Sequence, residues 1–239
     1  MNILITGATS GIGRQLSRDY LAAGHQLIIC GRNQPALEEL QVEFPTQVVC
    51  KSFDITNLDQ CRQATKDLPP LDLVILNAGT CEYIDALHFD AEVFERVVRT
   101  NLIGLANCLD AVLPRIKNAG QLAIMGSSSS YLPLPRAEAY GASKAATEYL
   151  SKTLAITLSS RAIRVSYIAP GFVETPLSGQ NDFAMPMIVT SAQASRAIIK
   201  GLKQSLREIH FPKKFTWPLK LTGSLPVWLQ QWLVKRLVA

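Results

Sequence analysis

The sequence predicts a single doubly wound α/β domain, a largely parallel sheet of about seven strands with helices on both faces, and three observations predict it. Short apolar runs alternate with longer amphipathic stretches along almost all of the 239 residues. The runs are nearly continuous in apolar residues, as strands buried on both faces require. No break in composition marks a second domain.

Strands are expected at 2–6, 26–30, 47–53, 72–76, 120–125 and 163–169, with a weaker one near 208–211. Ile12, Leu16, Tyr20 and Ala23 keep helical spacing behind the first strand. Pro35 behind Asn33 and Gln34 fits a helix start, as do the positions of Asp90 and Ser191. Parallel strands joined by right-handed crossover helices give a Rossmann-like layering.

Composition narrows the function classes. The chain is 48% hydrophobic and 18% charged, enough apolar material for a sizeable core. Its net charge of +5 is partly concentrated in Lys200, Lys203, Arg207, Lys213, Lys214, Lys220, Lys235 and Arg236. That distribution argues against a nucleic-acid groove and for a basic tail that meets phosphates, lipid headgroups or an acidic partner. Five cysteines without a C-x-x-C pair suit reduced thiols in the cytoplasm. The three histidines lie outside metal-ligand spacing, so no metal is expected. The first residues lack a basic n-region and no run approaches membrane-spanning length, so an exported or membrane-spanning chain is not expected.

The first strand runs into Thr6-Gly7-Ala8-Thr9-Ser10-Gly11-Ile12-Gly13 and then a helix. Glycines here let the backbone approach an anion, and the helix N-terminus supplies N–H donors and a positive dipole end, so a pyrophosphate is expected at this turn. A nucleotide triphosphatase is disfavoured, because Arg14-Gln15 follow Gly13 where Lys-Ser/Thr would be needed.

This T-G-x-x-x-G-x-G spacing resembles the fingerprint of the short-chain dehydrogenase/reductase family, classical type. Asn77-Ala78-Gly79, Asn101, Ser127, Tyr140, Lys144 and Pro170-Gly171 fill the family's remaining slots in order, and the likeness runs from residue 2 to about 211. The chemistry implied is hydride transfer between a nicotinamide and a carbonyl or alcohol, which needs a positioned acid/base. The resemblance makes Asn101, Ser127, Tyr140 and Lys144 the catalytic tetrad: Tyr140 the acid/base, Ser127 bonded to the substrate oxygen, Asn101 holding a water on the proton path, Lys144 holding the ribose. Two plainer readings stand beside it: Asn101 as a satisfied polar residue in a bent helix, and Ser127 as one of four loop serines. A tyrosine ordinarily titrates near about 10, and an ammonium one helical turn away is expected to lower that. The implied cofactor contacts are Gly7, Thr9, Ser10, Gly11, Ile12, Gly13, Arg32, Asp54, Ile55, Asn77, Ala78, Gly79, Tyr140, Lys144, Pro170, Gly171, Val173 and Thr175.

At the end of the second strand, Cys30-Gly31-Arg32-Asn33 lacks the carboxylate that would select NAD and carries an arginine suited to the 2′-phosphate of NADP. Such a charge-assisted contact contributes on the order of 1.5 to 3 kcal/mol. NADP(H) is therefore the expected cofactor. Leu76 and Gly126 depart from the family pattern, standing where Asn and Ser are frequent.

The expected organisation is a catalytic part over 1–211, with a substrate loop at 176–190, and an amphipathic extension over 212–239. Leu132, Leu134, Phe172, Leu177, Phe183, Met185, Met187 and Ile188 are expected either to form an apolar wall, favouring a lipophilic carbonyl or alcohol substrate, or to pack the loop onto the domain. The extension, with Trp217, Trp228 and Trp232, fits either a cover over the cleft or a neighbouring subunit, or a peripheral contact with a membrane surface. The resemblance also implies a homodimer or homotetramer. The rival to an enzyme is a non-catalytic NADP-sensing regulator on the same fold.

Overall fold

The computed structural model describes residues 1–238, with side chains through Arg236. In chain order the elements are β1 (Asn2–Thr6), α1 (Gly11–Ala22), β2 (Gln26–Gly31), α2 (Gln34–Glu43), β3 (Val48–Ser52), α3 (Leu58–Thr65) and β4 (Leu71–Leu76). Next come α4 (Ala91–Val98), a π-helical segment (Arg99–Ile103), α5 (Gly104–Val112), β5 (Ile116–Met125) and α6 (Glu138–Thr157). Then follow β6 (Arg164–Pro170), β7 (Val173–Glu174), β8 (Val189–Thr190), α7 (Ser191–Lys203), β9 (Glu208–Phe211), α8 (Lys213–Gly223) and α9 (Val227–Val238).

Seven strands form one parallel sheet in the order β3-β2-β1-β4-β5-β6-β9. Strand side chains alternate between faces. Ile3 and Ile5 of β1 thus join Leu16 and Tyr20 of α1 and Ile198 and Leu202 of α7 in one core. Leu4 points the other way, into a second core with Leu76, Leu105, Leu109 and Leu122. Each fully buried Leu or Ile contributes roughly 1.5 to 3 kcal/mol, so both faces hold the sheet. β2 and β4 flank β1, and this reversal of strand order opens a crevice at the carboxyl ends of β1 and β4, where Thr6 and Asn77 stand.

Helix starts follow their caps. Asn33 accepts a hydrogen bond from the Ala36 amide, Asp90 accepts from Glu92 and Val93, and Thr190 forms a capping box with Gln193. The structure departs from the expected elements in three places. β5 begins at Ile116 instead of residue 120, pairing with Leu71 before a register shift. The helix starting at Asp90 is interrupted by the π turn that carries Asn101. A two-stranded parallel sheet, β7 with β8, brackets the loop expected to meet substrate; two residues per strand are too few to leave a periodic signal in the sequence.

The extension consists of α8 and α9. Thr216 of α8 is fully buried, and its hydroxyl bonds Nδ1 of the buried His210 on β9 at 2.7 Å. Gly223 at the end of α8 is pressed against the backbone of Tyr131, where a Cβ would stand 1.9 Å from the carbonyl oxygen.

Candidate active site

The carboxyl edge of the sheet opens into a cavity of about 950 Å³. One end is the turn after β1. Thr6 Oγ1 accepts from the amides of Asn77 and Ala78 at 3.0 and 3.1 Å, and Asn77 Nδ2 donates to the carbonyls of Thr6 and Gly7. Gly7 and Gly11 sit at φ of +67° and +50°, in the left-handed region that favours glycine. α1 begins with no acidic residue in its first turn and with Ser10 making no side-chain cap, so its leading N–H groups face the cavity without a competing anion.

Gly7, Thr9, Ser10, Gly11, Ile12, Arg32, Asp54, Ile55, Asn77, Ala78, Gly79, Ser127, Tyr140, Lys144, Pro170, Gly171, Val173 and Thr175 all line this cavity. Gly13 and Asn101 do not. A Cβ on Gly13 would stand 2.2 Å from the Gly7 carbonyl oxygen, so Gly13 lets α1 close onto the turn that other residues present. Asn101 lies behind the wall. Its Oδ1 accepts from the Thr80 amide at 2.8 Å, and its Nδ2 donates to the Thr80 carbonyl and to Ser143 Oγ. The π turn thereby ties the 77–80 loop to α6. Gly79 lies between Asn101 and Lys144: a Cβ there would stand 3.1 Å from Asn101 Oδ1 and 3.5 Å from Lys144 Nζ.

Tyr140 and Lys144 share a face of α6, with Lys144 Nζ 5.6 Å from the Tyr140 ring centre. The ammonium donates to the Met125 carbonyl at 3.0 Å. Burial pulls the Lys144 ammonium down to about 8, partly opposed by Cys81. Burial also pushes the Tyr140 phenol up; Cys81 adds to this and a hydrogen bond with Ser127 opposes it. The expectation that Lys144 lowers Tyr140 is therefore not met in the chain alone, because desolvation outweighs the neighbouring cation. Tyr140 holds its proton at neutral pH, which suits a proton donor.

Arg32 is largely exposed at the cavity's rim, 3.8 Å from Asp54. Asp54 also accepts from the amide and hydroxyl of Thr56, which fixes the turn after β3.

On the substrate side, Leu134, Phe172, Leu177 and Phe183 line the cavity as expected. Leu132, Met185, Met187 and Ile188 do not. Leu132 is buried beneath the wall, while Met187 and Ile188 are exposed on the outside of the loop. Cys81, Tyr83, Arg136 and Phe215 line the cavity too, and sequence reasoning missed them. Arg136, four residues before Tyr140, stands in the turn ahead of α6 at φ of +66°. Phe215 lies past the point where the family pattern ends. Its ring stands 5.4 Å from that of Phe172. Two contacts hold the 176–190 loop: Tyr83 donates to Asn181 at 2.8 Å, and Arg136 makes a two-point pair with Asp182. Among the described residues, no group of three or more His, Cys, Asp or Glu side chains could hold a metal ion, and all five cysteines are free.

The model of the short chain dehydrogenase family matches residues 1–186. The chain belongs to that family. A short-chain dehydrogenase is an oxidoreductase acting on CH–OH and C=O groups. An uncharacterized oxidoreductase of Myxococcus xanthus is 31% identical over 93% of this chain and 92% of its own length. The NADP-dependent 3-hydroxy acid dehydrogenase YdfG of Escherichia coli is 32% identical over 72% of this chain and 73% of its own. A serine dehydrogenase solved in its closed form with NADP+ superimposes with a TM-score of 0.80 at 28% identity, covering 90% of this chain and 96% of that one.

Proposed function

We propose that this short-chain dehydrogenase uses NADP(H) to interconvert an apolar carbonyl compound and its alcohol, with Tyr140 as the acid/base. The observation that carries the reading is the meeting of Ser127, Tyr140 and Lys144 on the wall of the same cavity that the glycine-rich turn enters. The residues fit the cofactor. The amides after Gly11 suit the pyrophosphate, Arg32 the 2′-phosphate, Asp54, Ile55 and Asn77 to Gly79 the adenosine side, Lys144 the nicotinamide ribose, and Pro170, Gly171, Val173 and Thr175 the carboxamide. When bound, the cofactor supplies or accepts the hydride.

The chain's own residues handle the proton. In the reduction direction the Tyr140 phenol gives its proton to the carbonyl oxygen, and Ser127 holds that oxygen and the phenol in line. Lys144 stabilises the resulting phenolate, and Asn101, behind Gly79, holds the water from which the phenolate regains its proton. Leu134, Phe172, Leu177, Phe183 and Phe215 exclude water around the reacting carbon.

The enzyme works as a homodimer or homotetramer in the cytoplasm. Exposed Tyr149 and Ile156 on α6 and Ile103 on the π turn support an interface along the middle helices, and the free thiols suit that compartment.

One observation favours a second reading of the substrate. Arg136 lines the cavity, stacked over the Tyr83 ring and ion-paired among the described residues with Asp182, and one relative acts on 3-hydroxy acids, so a substrate carboxylate would replace Asp182 on the guanidinium. Loss of NADPH absorbance with a panel of lipophilic ketones, aldehydes and keto acids tests both. Turnover of neutral lipophilic carbonyls, unaffected by Arg136→Gln, is the expected result. Turnover confined to keto acids and lost in Arg136→Gln would replace the apolar reading, and absence of NADPH binding would end it.

A further inference from the structure

The sequence contains no acidic residue after Glu208, while Lys213, Lys214, Lys220, Lys235 and Arg236 lie beyond it. With 24 basic and 19 acidic residues in the whole chain, the part through Glu208 carries 19 of each and is neutral. The entire net charge of +5 therefore resides in α8, α9 and their connections.

The exposed positions of these helices form continuous faces. On α8 they are Lys213, Lys214, Trp217, Pro218 and Leu221, at helical spacing; on α9 they are Val227, Trp228, Gln231, Trp232, Lys235 and Arg236. The opposite face of α9 packs inward through Val234, and Gln230 Nε2 ties α9 to the carbonyls of Gly223 and Leu225 at 3.0 and 2.7 Å. Trp217, Trp228 and Trp232 are 49%, 69% and 47% exposed, a high level for the largest apolar side chain. Arg236 lies over the Trp232 ring at 4.3 Å. Of the five cations, Lys220 alone is ion-paired among the described residues, with Glu208. Among the described residues, no helix is long and apolar enough to cross a membrane. Exposed tryptophans and cations outside ion pairs on one face, with no Asp or Glu on either helix, are what an anionic lipid surface recognises.

We propose that the outer faces of α8 and α9 dock the enzyme on an anionic lipid surface, with the three tryptophans at headgroup level and Lys213, Lys214, Lys235 and Arg236 against the phosphates. The docking face adjoins the cavity, because Phe215 on the inner side of α8 lines it. The docking stands independently of the catalytic reading. If both hold, an apolar substrate passes from the lipid to the cavity beside α8.

The test is sedimentation of the full-length chain with vesicles of phosphatidylcholine alone or mixed equally with phosphatidylglycerol, alongside the tryptophan emission spectrum. The expected result is binding to the mixed vesicles only, with a blue-shifted emission and release by high salt. Lys235→Glu with Arg236→Glu should lower the partition coefficient about 25-fold or more, since each cation at such a surface contributes about fivefold. Trp228→Ser with Trp232→Ser should weaken vesicle binding and remove most of the blue shift while leaving NADPH affinity and melting temperature unchanged. The proposal is overturned by absence of binding, by equal binding to both vesicles, or by wild-type binding in both variants. It is equally overturned if the tryptophan variant converts an oligomer to a smaller species while vesicles never bind, or if a DNA oligonucleotide binds where vesicles do not.

Discussion

The Tyr167 ring fills the space that a side chain at Gly126 would need: a Cβ there would stand 2.0 Å from Cζ of the ring. The Tyr167 hydroxyl accepts from the Ser127 amide at 3.2 Å and donates toward Ser130 Oγ at 3.0 Å. A departure from the family pattern at residue 126 is thus matched by a phenol from β6 that positions the Ser127 backbone. Gly126→Ser, which restores the family's frequent residue, is expected to destabilise the chain by about 1 to 3 kcal/mol through overpacking. Adding Tyr167→Ala should recover part of that loss, and denaturant melts of the two single variants and the double variant measure the coupling. Simple additivity would show that the two residues do not share this space.

With Arg32 proposed to select the cofactor, the structure adds a condition to reversing that choice. A Cβ on Gly31 would stand 2.6 Å from the Thr9 methyl, and Thr9 itself lines the cavity. Arg32→Ala is expected to weaken NADPH roughly tenfold to a hundredfold with little effect on NADH. Gly31→Asp should gain NADH affinity only when combined with Thr9→Gly. Titrations with both cofactors check this, and equal affinities in the wild type would remove Arg32 from the 2′-phosphate.

Lys144, pulled down to about 8, gives two pH signatures of known sign. Between about pH 8 and the ordinary lysine value of about 10.4, the unfolded chain keeps a proton that the folded chain has released, so this group's contribution to stability rises with pH. Lys144→Met should therefore lose cofactor affinity and activity while raising the melting temperature at pH 7. NADPH affinity of the wild type should fall as pH rises through about 8, when the ammonium is lost. A flat affinity profile across that range would show that Lys144 stays charged or does not meet the ribose.

The two tail helices should separate by truncation. Ending the chain at residue 225 removes α9 and is expected to spare folding and NADPH affinity. Ending it at 212 also removes Phe215 and the buried Thr216, and should lower the melting temperature and change KM for apolar substrates. Calorimetry and cofactor titration on both truncated chains measure the difference.

What the sequence displayed and what it hid follow one physical division. Tyr140 and Lys144 share one helix face and Ser127 stands two residues past β5, so the spacing of the family motifs marked them, and β9 was legible as a weaker strand. Arg136, Tyr83 and Phe215 reach the cavity from separate segments, through Asp182, Asn181 and Phe172, and no local period records such meetings. Half of the expected apolar wall fell outside the cavity for the same reason: Met187 and Ile188 are as apolar as Leu177, but the loop turns them outward. The upward push on Tyr140 was likewise hidden, because desolvation depends on what covers the phenol from other elements.

Tyr140→Phe tests the central claim most directly, since it deletes the proton-bearing oxygen and leaves the ring in place. NADPH affinity by titration and turnover of a carbonyl substrate are measured on the same preparation. The account predicts near wild-type affinity with kcat lowered by about 10² to 10⁴. Wild-type kcat in this variant would contradict it.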